Sequence, residues 1–319
     1  MIYKLKQNRV GRTYLGGSRI DRFTNRTFTC SGGIPHPEDW LASVTSVVNG
    51  GTVEGLGSTE DGFSIQEIIG NDILPILVKL LDTDERLVLQ AHPTVKFAEE
   101  NLNSHFGKTE CWYFLDCEKD ACVYLGFKEG VTKSEWKEAM LKQDSDELLS
   151  MICKVAVKRG DFIFVDGGIP HAIGAGCFII ELQEPSDLMV VAEKITPSGR
   201  KLPEYRFDMN LEINKMLEIY DYTTFNEKNL KNKYYSHPEI QCDKTVEIVN
   251  SEFTNKFSMY ALCGKTCHKA NRKYAVAVVT CGCGMLCGKE AKRGDCFFIA
   301  SESEIVTNGN EKFTVILCE

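Results

Sequence analysis

Three short segments in the first half of the chain concentrate side chains able to hold a metal ion. In Leu89-Gln90-Ala91-His92-Pro93 an amide and an imidazole stand two residues apart, so on a strand they share a face. In Gly107-Lys108-Thr109-Glu110-Cys111-Trp112-Tyr113 the same spacing joins Lys108 to Glu110, and in Gly168-Ile169-Pro170-His171-Ala172 a second imidazole follows an apolar run. Glu110 comes 18 residues after His92, and His171 a further 61 on. One amide oxygen (Gln90), two imidazoles (His92, His171) and one carboxylate (Glu110) suit a single divalent cation such as Zn²⁺, and the weak fourth ligand leaves a position open to substrate or water. Such a site is catalytic in type, because a closed structural site more often uses four Cys or His. A lone histidine is usually a hydrogen-bonded structural residue, and His36, His105, His237 and His268 read that way. The grouping of three segments carries the metal reading.

The elements that must position these residues are mostly strands. Segments 154–157, 162–165, 178–182, 275–280 and 314–317 are rich in β-branched or aromatic residues and separated by turn-forming Gly, Asn or Asp. Helical spacing predicts helices over 64–69, 74–81, 134–141 and 145–152, the third with Thr132 or Ser134 as N-cap. An internal repeat sets the architecture: Lys158-Arg159-Gly160-Asp161-Phe162-Ile163-Phe164-Val165 returns as Lys292-Arg293-Gly294-Asp295-Cys296-Phe297-Phe298-Ile299. In each copy a Gly-Asp turn feeds an apolar strand. At this offset of 134, His171 maps onto Ile305. The expected fold is mainly β, with two copies of one β-barrel domain and a few short helices. A metal-binding domain with an N-terminal extension covers 1–199, a polar connection covers 200–239, and a barrel without metal ligands covers 240–319.

Composition narrows the partners. The chain has 319 residues, 43% hydrophobic and 26% charged, enough for two domains. A net charge of −8 and a pI near 5.4 disfavour general nucleic-acid binding and leave a small molecule as the expected partner. No run of about 18 apolar residues predicts a membrane span, and the start, Met1-Ile2-Tyr3-Lys4-Leu5-Lys6, lacks a signal-peptide core. The 14 cysteines are read as reduced, small hydrophobes of a cytoplasmic protein. Cys263, Cys267, Cys281, Cys283 and Cys287 do not form paired C-x-x-C knuckles.

Three motifs resemble those of the type I mannose-6-phosphate isomerases (phosphomannose isomerases), in their short two-cupin form. They are Gln90-Ala91-His92-Pro93, Gly107-Lys108-Thr109-Glu110-Cys111-Trp112-Tyr113, and Asp166-Gly167-Gly168-Ile169-Pro170-His171-Ala172-Ile173-Gly174. Lys79-Leu80-Leu81-Asp82 and Glu181-Leu182-Gln183-Glu184-Pro185-Ser186-Asp187 are similar to further family segments, so the resemblance covers most of residues 1–190. It implies zinc held by Gln90, His92, Glu110 and His171, interconversion of mannose 6-phosphate and fructose 6-phosphate, and Lys108 as the candidate for acid–base chemistry or substrate binding. One departure stands out. The family continues S-D-x-x-Y-R, and its arginine is regarded as catalytic, whereas Val190 and Val191 hold those two positions here. A substitute cation is sought among Arg9, Arg12, Arg19, Arg200 and Arg206, of which Arg9, Arg12 and Arg206 are the candidate substrate-binding residues; each alone also reads as a solvated surface arginine. Isomerisation of another phosphorylated sugar, or sugar-phosphate binding without catalysis, are the alternatives.

Overall fold

The computed structural model describes residues 1–29, 33–49, 51–300 and 303–319. It is mainly β, with 37% strand and 16% helix. In the N-terminal half one sheet runs, in spatial order, Tyr235–Ser236, Phe162–Val165, Glu110–Cys117, Cys177–Gln183, Leu77–Asp82, Glu38–Leu41 and Arg9–Val10. The second runs Ile152–Ala156, Cys122–Lys128, His171–Ile173, Gln90–Ala91 and Val190–Val191, with Thr224–Phe225 parallel to Cys122–Lys128. Period-two alternation sorts the second sheet's side chains. Val123, Leu125 and Ile173 join Trp112, Phe114 and Ile180 in the core between the sheets. Ala172 and Val190 face the other way, onto Trp136, Met140 and Leu217, and Phe127 joins them because the left-handed Gly126 (φ +69°) breaks the alternation after Leu125. The arrangement is a jelly-roll sandwich of the cupin kind.

The C-terminal half repeats it. Ile2–Lys4, Cys296–Ala300, Tyr274–Cys281, Thr314–Cys318, Met259–Cys263 and Lys244–Val249 form one sheet, and Thr266–Lys269, Glu304–Gly309, Cys283–Leu286 and Lys289–Lys292 the other. In Tyr274–Cys281, Ala275, Ala277 and Val279 fill the C-terminal core while Val276 and Val278 pack into the N-terminal one. A strand buried on both faces has to be apolar throughout. Ile305, the counterpart of His171, is buried among Leu262, Phe297 and Val315. The first strand of the chain, Ile2–Lys4, pairs with Cys296–Ala300 of the C-terminal sheet rather than with its own half.

The repeated segments fold as the same turn. Asp161 N–H donates to the Lys158 carbonyl at 3.1 Å and Asp295 N–H to that of Lys292 at 2.9 Å. Gly160 (φ +85°) and Gly294 (φ +91°) occupy the left-handed position that a type II turn demands. Each aspartate then turns back, accepting from Lys158 N–H at 2.8 Å and from Lys292 N–H at 3.0 Å.

Helices form at Ile65–Ile69, Lys133–Lys142 and Ser145–Ser150. Reciprocal Ser64–Glu67 and Thr132–Glu135 capping boxes open the first two. The helix expected over 74–81 is instead the strand Leu77–Asp82. All six of its residues are buried, because neighbours flank it and both its faces are covered, so the alternation that marks a strand is missing. The connection at 200–239 carries the short helices Tyr205–Asp208, Ile213–Met216 and Glu227–Tyr234. Its buried Phe207, Met216, Leu217 and Tyr220 cover the outer face of the sheet that bears Gln90.

Asp39, on the strand Glu38–Leu41, is buried and accepts from Asn8 N–H at 2.7 Å. Burial pushes its carboxyl from the usual 3.8 up to about 6. A raised carboxyl stabilises the fold only in its protonated form, and that contribution is lost as pH rises from 3.8 through 6. Asp39→Asn is therefore expected to raise the thermal midpoint at pH 8, by at most about 3 kcal/mol in stability, and to change little at pH 4. Equal effects at both pH values would refute the buried-carboxylate account.

Candidate metal centre

The ligand-bearing segments meet at one end of the N-terminal sandwich. Gln90 and His171 are direct cross-strand partners in one sheet, and Glu110 opens the strand Glu110–Cys117 of the other, between Val165 and Gln183. His92 lies just beyond the short strand Gln90–Ala91. The donor atoms of His92, Glu110 and His171 all fall within 4.8 Å of one another, and all three side chains are buried. His92 Nε2 is 3.3 Å from Glu110 Oε2, and His171 Nε2 is 3.4 Å from Glu110 Oε1. Gln90 Nε2 stands 3.3 Å from His171 Nε2, and a half-turn of that amide presents its oxygen instead.

The imidazoles are oriented for metal binding. His92 Nδ1 lies 2.8 Å from the Leu188 carbonyl and His171 Nδ1 2.8 Å from that of Ile169. Each Nδ1 must carry a proton to make that bond, which leaves both Nε2 lone pairs pointing at Glu110. Burial, reinforced by the Lys108 cation, lowers His92 to about 3, and burial lowers His171 too, so both rings are neutral. Burial alone would raise Glu110, but the Lys108 cation reverses that and holds the carboxylate ionised. Trp112 Nε1–H donates to Glu110 Oε1 at 3.1 Å. Two neutral imidazoles and an ionised carboxylate converging on one point are a fitting donor set for one divalent metal ion.

Lys108 sits at this point. Its Nζ is 2.7 Å from His92 Nε2 and ion-pairs with Glu110, supplying positive charge where the donors converge. It also borders a cavity of about 370 Å³ that opens from Gln90 to the surface. Along this cavity runs a ladder of charged groups. Lys79 Nζ pairs with Glu181 at 2.9 Å, and Glu181 lies 3.9 Å from Lys108 Nζ. Burial raises the Glu181 carboxyl, with Lys79 opposing and Glu110 adding to the rise. Arg12 spans Glu38 and Asp187 at 3.0 Å each, and Arg206 joins Asp187 at 2.8 Å. Burial alone would raise Asp187; Arg12 and Arg206 reverse that and hold it ionised.

Of the five arginines considered, Arg12, Arg200 and Arg206 line the cavity. Arg9 is committed to Asp21 and the His36 carbonyl, and Arg19 to Asp82 and Glu118, away from that lining. Val191 pairs directly opposite Gln90, so by register the two side chains share a face of the sheet. Lys79, Glu38, Asp187 and Tyr14 also border the cavity. Sequence reasoning had not singled them out, although Lys79, Glu181 and Asp187 stood inside motif segments.

No protein-family model matches the chain. Mannose-6-phosphate isomerase ManA of Bacillus subtilis is 34% identical over 187 residues, 58% of this chain and 57% of that protein. A mannose-6-phosphate isomerase of Streptococcus mutans is 37% identical over 157 residues, 47% of this chain and 48% of that protein. The matches thus span about half the length of these curated relatives. In fold the likeness runs throughout: a Bacillus subtilis mannose 6-phosphate isomerase structure superposes with a TM-score of 0.76 at 21% identity, over 100% of this chain and 99% of the other. A mannosephosphate isomerase structure from Archaeoglobus fulgidus, described as putative, gives 0.70 at 18% identity, over 99% and 96%. In sequence over about half its length, and in fold over its whole length, the chain is similar to mannose-6-phosphate isomerases.

Proposed function

We propose that this protein interconverts mannose 6-phosphate and fructose 6-phosphate, using one Zn²⁺ held by Gln90, His92, Glu110 and His171. The observation that carries the reading is the convergence of His92 Nε2, His171 Nε2 and Glu110 within 4.8 Å, next to Gln90 and Lys108, which line a cationic cavity. The curated relatives are named mannose-6-phosphate isomerases, which supports mannose 6-phosphate as the aldose. The bound metal would supply Lewis acidity, stabilising negative charge on the substrate's carbonyl and hydroxyl oxygens.

The chain's own residues then divide the remaining work. Lys108 and Glu181 are the groups placed to move a proton between adjacent carbons, Lys108 at the ligands and Glu181 behind it. Side-chain exposure rises from 3% at Lys108 through 11% at Arg12 and 18% at Arg206 to 38% at Arg200. This gradient orients the substrate, with the sugar carbonyl inward and the strongly hydrated phosphate toward Arg206 and Arg200 at the mouth. Arg12, locked between Glu38 and Asp187, fixes the wall of the cavity.

A coupled assay of the zinc-loaded protein on mannose 6-phosphate, beside other aldose phosphates, tests the reading. Arg206→Ala is expected to raise KM about ten- to a hundredfold with kcat within a few-fold, as the loss of one charged hydrogen bond predicts. Absence of turnover on every sugar phosphate would replace the enzyme reading with a binding one.

A further inference from the structure

The internal repeat has a second product. In a type II turn the residue before the glycine is the outward apex, and in both copies that residue is an arginine, Arg159 and Arg293. These two apices come from opposite halves of the chain yet border one cleft of about 190 Å³, joined by Arg22 of the helix Ser18–Thr24. Among the described residues none of the three forms an ion pair. Arg22 reaches only Ser18 Oγ at 3.3 Å, and Arg293 lies 4.9 Å from the centre of the Phe23 ring. Arg19, in the same wall, differs because Asp82 and Glu118 neutralise it.

One carboxylate, Asp116, borders the cleft against three unpaired guanidiniums, a surplus of two positive charges in a protein of net charge −8. The Tyr113 hydroxyl makes no hydrogen bond among the described residues although Tyr113 is only 7% exposed, and it borders the same space. Three like charges gathered around a single carboxylate repel one another, and a bound anion relieves the repulsion. Guanidinium forks match phosphoryl oxygens in pairs, and a phenolic O–H adds a further donor.

We propose that this cleft binds a small phosphoryl-bearing anion at a site separate from the metal centre. The strand Glu110–Cys117 connects the two, with Glu110 at the metal end and Asp116 at the cleft, about 20 Å apart at strand rise. The occupant is either free inorganic phosphate or a small phosphate monoester; the cleft is small for a nucleotide.

Calorimetric titration of the zinc-loaded full chain with inorganic phosphate, and separately with glycerol 3-phosphate, tests this. Arg206→Gln serves as the background that weakens binding at the metal-side cavity. One anion is expected to bind in that background, and adding Arg159→Gln with Arg293→Gln should weaken it at least about tenfold. The Arg159→Gln/Arg293→Gln pair alone should leave kcat/KM on mannose 6-phosphate unchanged. Tighter binding of glycerol 3-phosphate than of phosphate identifies a monoester as occupant, and the reverse order identifies the free ion. Arg22→Gln gives the same readout from a single exposed position. Unchanged anion affinity in the double variant, or loss of all anion binding in Arg206→Gln alone, would overturn the proposal.

Discussion

Alanine in place of His171 is expected to remove the metal and the turnover together. His171 supplies one of two neutral imidazole donors, aimed by its Nδ1 bond to the Ile169 carbonyl and buried beyond reach of any substitute ligand. Loss of a partner that merely orients a ligand costs ten- to a hundredfold in metal affinity, and loss of the ligand itself costs more. Metal analysis after equilibration at fixed free zinc should give about one equivalent for the parent and under about a tenth for His171→Ala. The isomerase rate should fall in proportion to the metal lost. His171→Gln, which keeps most of the volume, guards against a trivial folding defect, since it should be metal-poor with a normal circular dichroism spectrum. A variant that retains its full equivalent would remove His171 from the ligand set.

Lys108→Gln is expected to do the opposite: keep the metal and lose the chemistry. The ammonium touches His92 Nε2 and Glu110, yet it offers no lone pair in its charged state and is no ligand. Its place beside the convergence point is where a proton-transfer group must stand. Removing such a group costs about 10²–10⁴ in rate, and the loss should fall on kcat. Were Lys108 instead a partner of the phosphate, KM would rise and kcat would hold. Parent-like values of both constants would exclude Lys108 from the reaction.

Parts of the candidate metal site were legible in the sequence because the Gln90/His92 and Lys108/Glu110 spacings are local, whereas the meeting of His171 with Gln90 depends on pairing across 81 residues. Lys108 and Glu110, two apart, share a strand face, and their contact follows from the pleat alone. The repeat was equally legible, since Gly160 and Gly294 stand where only a turn with positive φ fits. What stayed hidden depends on distant pairing. Arg12 and Asp187 are 175 residues apart, and no periodicity announces that one will grip the other. The strand Leu77–Asp82 was read as a helix for a related reason: burial of both its faces erases the period-two signal. The segment 200–239 looked like a polar link because its few apolar residues are spread among charges, yet those few cover the back of the metal-bearing sheet.

The pairing of Ile2–Lys4 with Cys296–Ala300 ties the order of folding to the order of synthesis. At about 5–20 residues per second, the first strand leaves the ribosome roughly 15–60 s before its partner exists. During that interval it has no sheet to join, and the N-terminal sandwich must mature without it. When Cys296–Ala300 emerges, its free edge is Cys-Phe-Phe-Ile-Ala, an apolar row of unpaired backbone groups open to any neighbouring chain. The waiting strand covers that edge as soon as it forms. The first strand of the chain thus acts as a tethered cover for an apolar edge strand of the C-terminal sheet, and its absence would be felt first in the yield of soluble protein.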